Sequence, residues 1–130
     1  MRKAEIRSAD TSAQLSFSQK ESDYFVVTYV SPGASFSRRV WGYTDCNLLV
    51  ELFEYMAREW KGWDGEISWA SPEGDFSLIA VSDKKGHISL KLRLSQTDDS
   101  EPWQADVTLN LESGLMNNAS HQIRDFFIEK

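Results

Sequence analysis

The chain has 130 residues, of which 41% are hydrophobic and 26% charged, and its formal net charge is −6. This composition is typical of an ordinary globular protein and excludes a disordered chain, which combines low hydrophobicity with high charge. An acidic protein repels phosphate backbones, so nucleic acid is not an expected partner.

The acidic excess is local, because residues 40–112 carry fourteen acidic and six basic residues. A basic protein partner would suit such a surface, since complementary charge speeds encounter. The alternative is that the moderate net charge serves solubility alone.

The length predicts a single domain over residues 1–130, with residues 1–22 as a peripheral edge strand or hairpin. The start, "MRKAEIRSAD", has no apolar run of the kind a signal peptide needs. No stretch approaches the roughly 20 apolar residues of a membrane span, so no membrane partner is expected. A single cysteine excludes an internal disulfide framework and favours a cytoplasmic setting.

Strand patterns dominate the first 41 residues. Leu15 and Phe17 alternate with serines in "SAQLSFSQ", and "YFVVTYV" (24–30) is β-branched and aromatic. The turn signal "SPGA" (31–34) and the following "SFSRRVW" predict a hairpin. Alternation in that return strand places Arg38 and Arg39 on opposite faces.

The period then becomes helical over about residues 45–61. Either Thr44 or Asp45 can cap the helix, and Gly62 stops it. One apolar face is predicted to be buried, and it comprises Leu49, Leu52, Phe53, Met56 and Trp60.

Three further strands and a second helix complete the chain. The strands are "FSLIAVS" (76–82), "HISLKLRLS" and "WQADVTLNLE", and the helix covers residues 114–128. These elements predict an α+β fold in which an antiparallel sheet of about six to eight strands packs against two helices.

The segment "EWKGWDGEISWASPEGD" (59–75) holds three tryptophans at the predicted corner between helix and strand. Trp60 is expected to be buried on the helical stripe, and Trp69 is expected to face inward beside Ile67. Trp63 lies between two glycines that permit a sharp reversal. It either closes the core or stays partly exposed as a recognition anchor.

Four carboxylates accompany these tryptophans: Asp64, Glu66, Glu73 and Asp75. If the turn "SPEGD" folds back, they converge on one edge, where they could bind a partner, hold a hard cation or do acid–base chemistry. The alternative is that they are solvated or cap turns through backbone amides. A second acidic cluster comprises Asp98, Asp99 and Glu101.

The string W-x-G-W-x-G-x-x-x-W-x-S-x-E-G-D, which begins at Trp60, resembles the core motif of a family of small bacterial proteins of unknown function. The pieces "SRRVW" (37–41), "LFEYMAREW" (52–60) and "GHISLKLRL" (86–94) also match, and the resemblance covers roughly residues 23–127. It implies a compact α+β domain and supplies no catalytic residue, substrate or cofactor. Some such families are similar in size and charge to immunity proteins, which neutralise a bacterial toxin.

Metal and thiol chemistry finds little support in the sequence. His87 and His121 have no His or Cys at ligand spacing, so no metal or cofactor is predicted. Cys46 lies in the first helical turn, where the helix dipole can lower the pKa of a thiol, but a plain buried thiol is favoured.

Three functional hypotheses follow. The first is a non-catalytic interaction protein, immunity-like, that binds a more basic partner through Trp63, Asp64, Glu66, Glu73 and Asp75. The second is a small-ligand-binding domain with a pocket between sheet and helices, lined by Trp63 and Trp69 and at least about 300 Å³ in volume. The third is an enzyme, which needs a carboxylate pair within reach of a common point.

Overall fold

The computed structural model describes residues 2–97 and 100–128. Eight strands and two helices are present in these ranges. The strands are β1 (Lys3–Arg7), β2 (Gln14–Glu21), β3 (Tyr24–Ser31), β4 (Ala34–Trp41), β5 (Glu66–Ala70), β6 (Phe76–Ser82), β7 (His87–Gln96) and β8 (Trp103–Glu112). The helices are α1 (Cys46–Arg58) and α2 (Met116–Ile128), each preceded by a 3₁₀ turn.

The strands form two antiparallel sheets, ordered β1-β2-β3-β4 and β5-β6-β7-β8. Each sheet pairs only strands that follow one another in the chain, as antiparallel strands joined by short turns do. Helix α1 connects the sheets. The α+β fold, the eight strands and the two helices confirm the prediction, and the division into two sheets is a feature that the patterns do not reveal.

The two sheets and both helices share one hydrophobic core. Phe17 of the first sheet lies 6.1 Å from Phe76 of the second, measured between ring centroids, and 6.4 Å from Phe126 of α2. Phe25 lies 6.0 Å from Phe17 and 6.3 Å from Phe76. Aromatic pairs at these separations add to the free energy of burial, so this cluster joins the sheets and α2.

The N-terminal segment contributes to this core. β1 is an edge strand, but β2 lies between β1 and β3 and buries Leu15 and Phe17 completely. Helix α1 buries Leu49, Phe53 and Met56, as its apolar stripe predicts. No helix in the described ranges is long and apolar enough to cross a membrane.

Candidate functional site at the edge strand β5

The corner between α1 and β5 differs from the sequence prediction. Helix α1 ends at Arg58, where the main-chain N–H of Glu59 makes the last helical hydrogen bond, to Tyr55 O at 2.8 Å. The ψ of Glu59 is 54°, which leaves the helical region. Trp60 therefore lies beyond the helix, off its apolar stripe, with 60% of its surface exposed. The prediction that Trp60 is buried is wrong.

Gly62 makes the reversal possible. Its φ is +106°, and a Cβ atom there would lie 2.6 Å from Ser82 Oγ and 3.0 Å from Lys84 Cα. Only glycine allows the chain to pass this close to the β6–β7 turn. The corner is thus pressed against the end of the second sheet.

Trp63 turns inward immediately after this contact. Only 7% of its surface is exposed, its ring centroid lies 5.7 Å from that of Tyr55, and its Nε1–H donates to Ala80 O at 3.4 Å. A buried indole needs such an acceptor. Trp63 closes the core, so the hypothesis that it is an exposed anchor is wrong.

Trp69 is buried, which confirms its predicted inward orientation. Its Nε1–H donates to Asp45 O at 2.8 Å, and its ring centroid lies 5.3 Å from that of Phe76. These contacts tie β5 to the start of α1 and to β6.

The four carboxylates do not converge on one point. Asp64 and Glu66 lie at the start of β5, whereas Glu73 and Asp75 lie in the turn that follows it. A strand of five residues is about 13 Å long at roughly 3.3 Å per residue. The strand separates the two pairs, and this arrangement does not supply the common point that a carboxylate enzyme needs.

Asp75 is a structural residue. Its side chain is 8% exposed, it accepts a hydrogen bond from Arg38 Nε at 2.8 Å, and Ser71 Oγ–H donates to it at 2.7 Å. Arg38 belongs to β4, so this ion pair connects the first sheet to the β5–β6 turn. The interpretation of Asp75 as an accessible partner-binding residue is wrong, because both carboxylate oxygens are engaged within the fold.

The other three carboxylates are exposed. Asp64 forms an ion pair with Lys84. Within the described part of the chain, no ion pair engages Glu66 or Glu73. Asp98 and Asp99 of the second acidic cluster lie outside the described residues.

A groove of about 630 Å³ lies between α1 and the β5–β6 hairpin, and we call it the β5 groove. Leu48 projects at its helical wall with 53% of its surface exposed. Its lining includes Leu48, Glu51 and Leu52 from α1 and Ser68, Ala70 and Ile79 from the strands. Trp69 also lines the groove, as the hypothesis of a pocket between sheet and helices expected. Sequence reasoning missed the contribution of Leu48, although an apolar residue outside the predicted helical stripe is a signal that could have found it.

A second cavity, of about 400 Å³, lies between β1, the end of β8 and α2. Ile6, Leu111, Met116 and Ala119 line it, with Arg7 at its border. Its volume falls in the range of small-molecule sites. Of the two tryptophans expected to line a ligand pocket, Trp69 lines the β5 groove, whereas Trp63 lines neither the groove nor this cavity.

Metal-ligating groups are dispersed. Across residues 2–97 and 100–128, no three or more His, Cys, Asp or Glu side chains are grouped as a metal site. His87 Nδ1 lies 2.7 Å from Asp83 Oδ2 on the surface. The absence of a bound metal or cofactor stays a prediction.

Burial raises the pKa of the Cys46 thiol above its usual value of 9.0. We therefore expect a thiol reagent such as dithionitrobenzoate to react with the native protein at pH 7 at least about tenfold more slowly than with the urea-unfolded chain. The native rate should still be rising with pH at pH 9, because the thiolate fraction is still increasing there. A fast native reaction at neutral pH would instead show an activated thiol.

Comparison with known proteins assigns the chain to one family. The model of a family of unknown function, DUF6228, matches residues 5–130. The chain belongs to this family. The match includes the last three residues of β1 and all of β2, so the DUF6228 domain extends further towards the N-terminus than the motifs that carry the resemblance. Neither a curated protein nor a solved structure matches the chain significantly.

Proposed function

We propose that this DUF6228 protein is a non-catalytic interaction protein that binds a more basic protein partner at the rim of the β5 groove. The observation that carries the proposal is an apolar groove lined by the exposed Glu51 and by β5, with two further exposed acidic residues at the ends of that strand. None of the three forms an ion pair among the described residues. Glu51 lines the groove, Glu66 begins β5, and Glu73 lies in the turn after it.

Charge and apolar contact affect different steps of binding. Exposed carboxylates attract a basic surface and raise the association rate, whereas desolvated apolar contacts slow dissociation. Leu48 takes the role of exposed apolar contact that the sequence had suggested for Trp63. A basic toxin of the kind that immunity proteins neutralise would be one such partner.

Charge reversal at both ends of β5 tests the proposal. We expect the double variant Glu66→Lys with Glu73→Lys to weaken binding of the native partner by at least about tenfold and to reduce the salt dependence of that binding. The reason is that two carboxylates that attract a basic partner are replaced by two ammonium groups that repel it. The partner would be identified by crosslinking the tagged protein in its host, and its association rate measured at several salt concentrations. Asp64 is left unchanged, since its reversal would place a lysine beside Lys84.

The matched control is Glu112→Lys with Asp125→Lys, which changes the net charge equally, from −6 to −2. Both control residues are exposed, and Glu112 ends β8, at the edge of its sheet opposite to β5. We expect the control to bind almost normally and both variants to retain stability within about 1 kcal/mol. Equal loss of binding in the two variants would show that overall charge matters and that the β5 rim is not the interface.

The cavity between β1 and α2 favours a second candidate function, the binding of a small ligand. It combines apolar lining residues with Arg7, whose guanidinium lies 3.2 Å from the carboxylate of Glu5 in the same lining. Native mass spectrometry of protein purified from its own host distinguishes the candidates, because a ligand site predicts a bound small molecule and the interaction site predicts a bound protein.

A further inference from the structure

Strand β5 has an open edge. It pairs only with β6, in a continuous register from Glu66 opposite Val81 to Ala70 opposite Ser77. The turn closes with Ser71 N–H donating to Phe76 O at 2.9 Å. Hydrogen-bonded pairs recur at every second residue of an antiparallel ladder, so the main-chain groups of Ser68 and Ala70 point away from β6.

These outward groups have no partner among the residues that the structure describes. No hydrogen bond from a loop, a helix or a side chain reaches the main chain of residues 66–70 on that side. Unpaired main-chain groups along an edge strand are a template for another strand.

Of the three other edge strands, β1 and β8 carry protection that β5 lacks. On β1, the Glu5 N–H donates to Gln122 Oε1 at 3.1 Å. On β8, the Asn110 carbonyl accepts from Ala9 N–H at 2.8 Å. The sequence of β5, EISWA, contains no lysine, no proline and no bulge, which are three of the devices that prevent strand pairing.

The β5 groove lies beside this edge, between the strand and the wall of α1. A strand added to β5 would continue its two rows of side chains. One row contains Glu66 and Ser68, and the other contains the half-buried Ile67 and the buried Trp69. Opposite charges on facing strands stabilise pairing, so basic side chains suit the first row and apolar side chains the second.

We propose that β5 is a strand-addition site for an extended peptide segment with alternating basic and apolar side chains. The main chain of the segment pairs with Ser68 and Ala70, and its basic side chains face Glu66. This mode of recognition takes affinity from main-chain hydrogen bonds and specificity from alternate side chains. The inference rests on the proposed function and names the conformation of the partner at the same site.

The test uses a capped peptide of alternating lysine and valine, as long as β5, titrated into the ¹⁵N-labelled full chain. We expect amide shift changes concentrated at residues 66–70 and at Leu48. A second peptide carries N-methyl groups on the residues whose N–H faces β5, which removes the pairing hydrogen bonds and keeps the side chains. It is expected to bind at least about tenfold more weakly.

The variant Ala70→Pro provides an independent arm, because it removes an outward N–H from an edge strand, where proline is tolerated. If the Ala70→Pro protein is folded and shows no amide shift changes on addition of the peptide, strand addition is supported. If this variant unfolds, the comparison between the methylated and unmethylated peptides still tests strand addition. Equal binding of both peptides, or no shift at β5 up to the solubility limit, overturns strand addition. The proposed function fails separately, when reversal of Glu66 and Glu73 leaves binding of the native partner unchanged.

Discussion

Replacing Trp63 by alanine is expected to lower the free energy of unfolding by about 3–5 kcal/mol, the usual range for removing a buried tryptophan. The indole packs against Tyr55 and closes the core at the corner after α1. Its removal leaves a cavity at a site held by Gly62 against the β6–β7 turn, so collapse around the cavity is restricted. Urea denaturation followed by circular dichroism measures the change.

The matched control is Trp60→Ala, three residues earlier in the chain. Trp60 is mostly exposed, and Lys61 Nζ lies 5.3 Å from its ring centroid. Surface substitutions of this kind usually change stability by no more than about 0.5 kcal/mol. A larger loss for Trp60→Ala than for Trp63→Ala would contradict the geometry of the corner and restore the original assignment from helical periodicity.

Helix α1 and Trp60 show where hydrophobic periodicity predicts burial correctly and where it does not. Inside an element, side chains repeat with a fixed period, so Leu49, Phe53 and Met56 of α1 are buried as predicted. At the end of an element the period is lost. The ψ of Glu59 ends α1 at Arg58, three residues before the predicted end, so Trp60 leaves the buried stripe and is exposed.

The candidate site was harder to predict than the fold, because its residues meet only through tertiary structure. The five residues of β5 hold Asp64 and Glu73 apart, although they are close in sequence. The β5 groove joins Leu48 to Ile79, which are 31 positions apart, and no local pattern links them. What the sequence does show is the excess of acidic residues, which does not depend on their arrangement.

Alternation also predicted opposite faces for Arg38 and Arg39, and the structure confirms it. Arg38 faces inward to Asp75, whereas the guanidinium of Arg39 lies over the ring of Tyr24, 4.0 Å from its centroid. The sequence could not indicate the partner of Arg38, because Asp75 is 37 residues away on the other sheet. This ion pair is one of the few polar links between the two sheets in the described residues, which makes its removal informative.

Replacing Arg38 by alanine is expected to destabilise the protein by about 3 kcal/mol, the lower end of the range for a buried ion pair that loses one partner. Asp75 would keep its hydrogen bond from Ser71 Oγ–H at 2.7 Å but would lose its cationic partner in a mostly buried position. The lower end applies because the Arg38 side chain is 16% exposed and water can reach the site. Denaturant unfolding of the variant measures the loss.

Two further variants distinguish the effect of leaving a buried carboxylate without its partner from the effect of removing an arginine as such. Arg93→Ala removes the partner of Asp106 from an exposed pair of 2.6 Å and should leave the free energy of unfolding almost unchanged, because exposed ion pairs contribute little. The double variant Arg38→Met with Asp75→Asn removes both charges while methionine retains apolar packing, so it should recover part of the stability lost in Arg38→Ala. If Arg38→Ala costs no more than Arg93→Ala, the link between the sheets is solvated, and Asp75 returns to the set of carboxylates available to a partner.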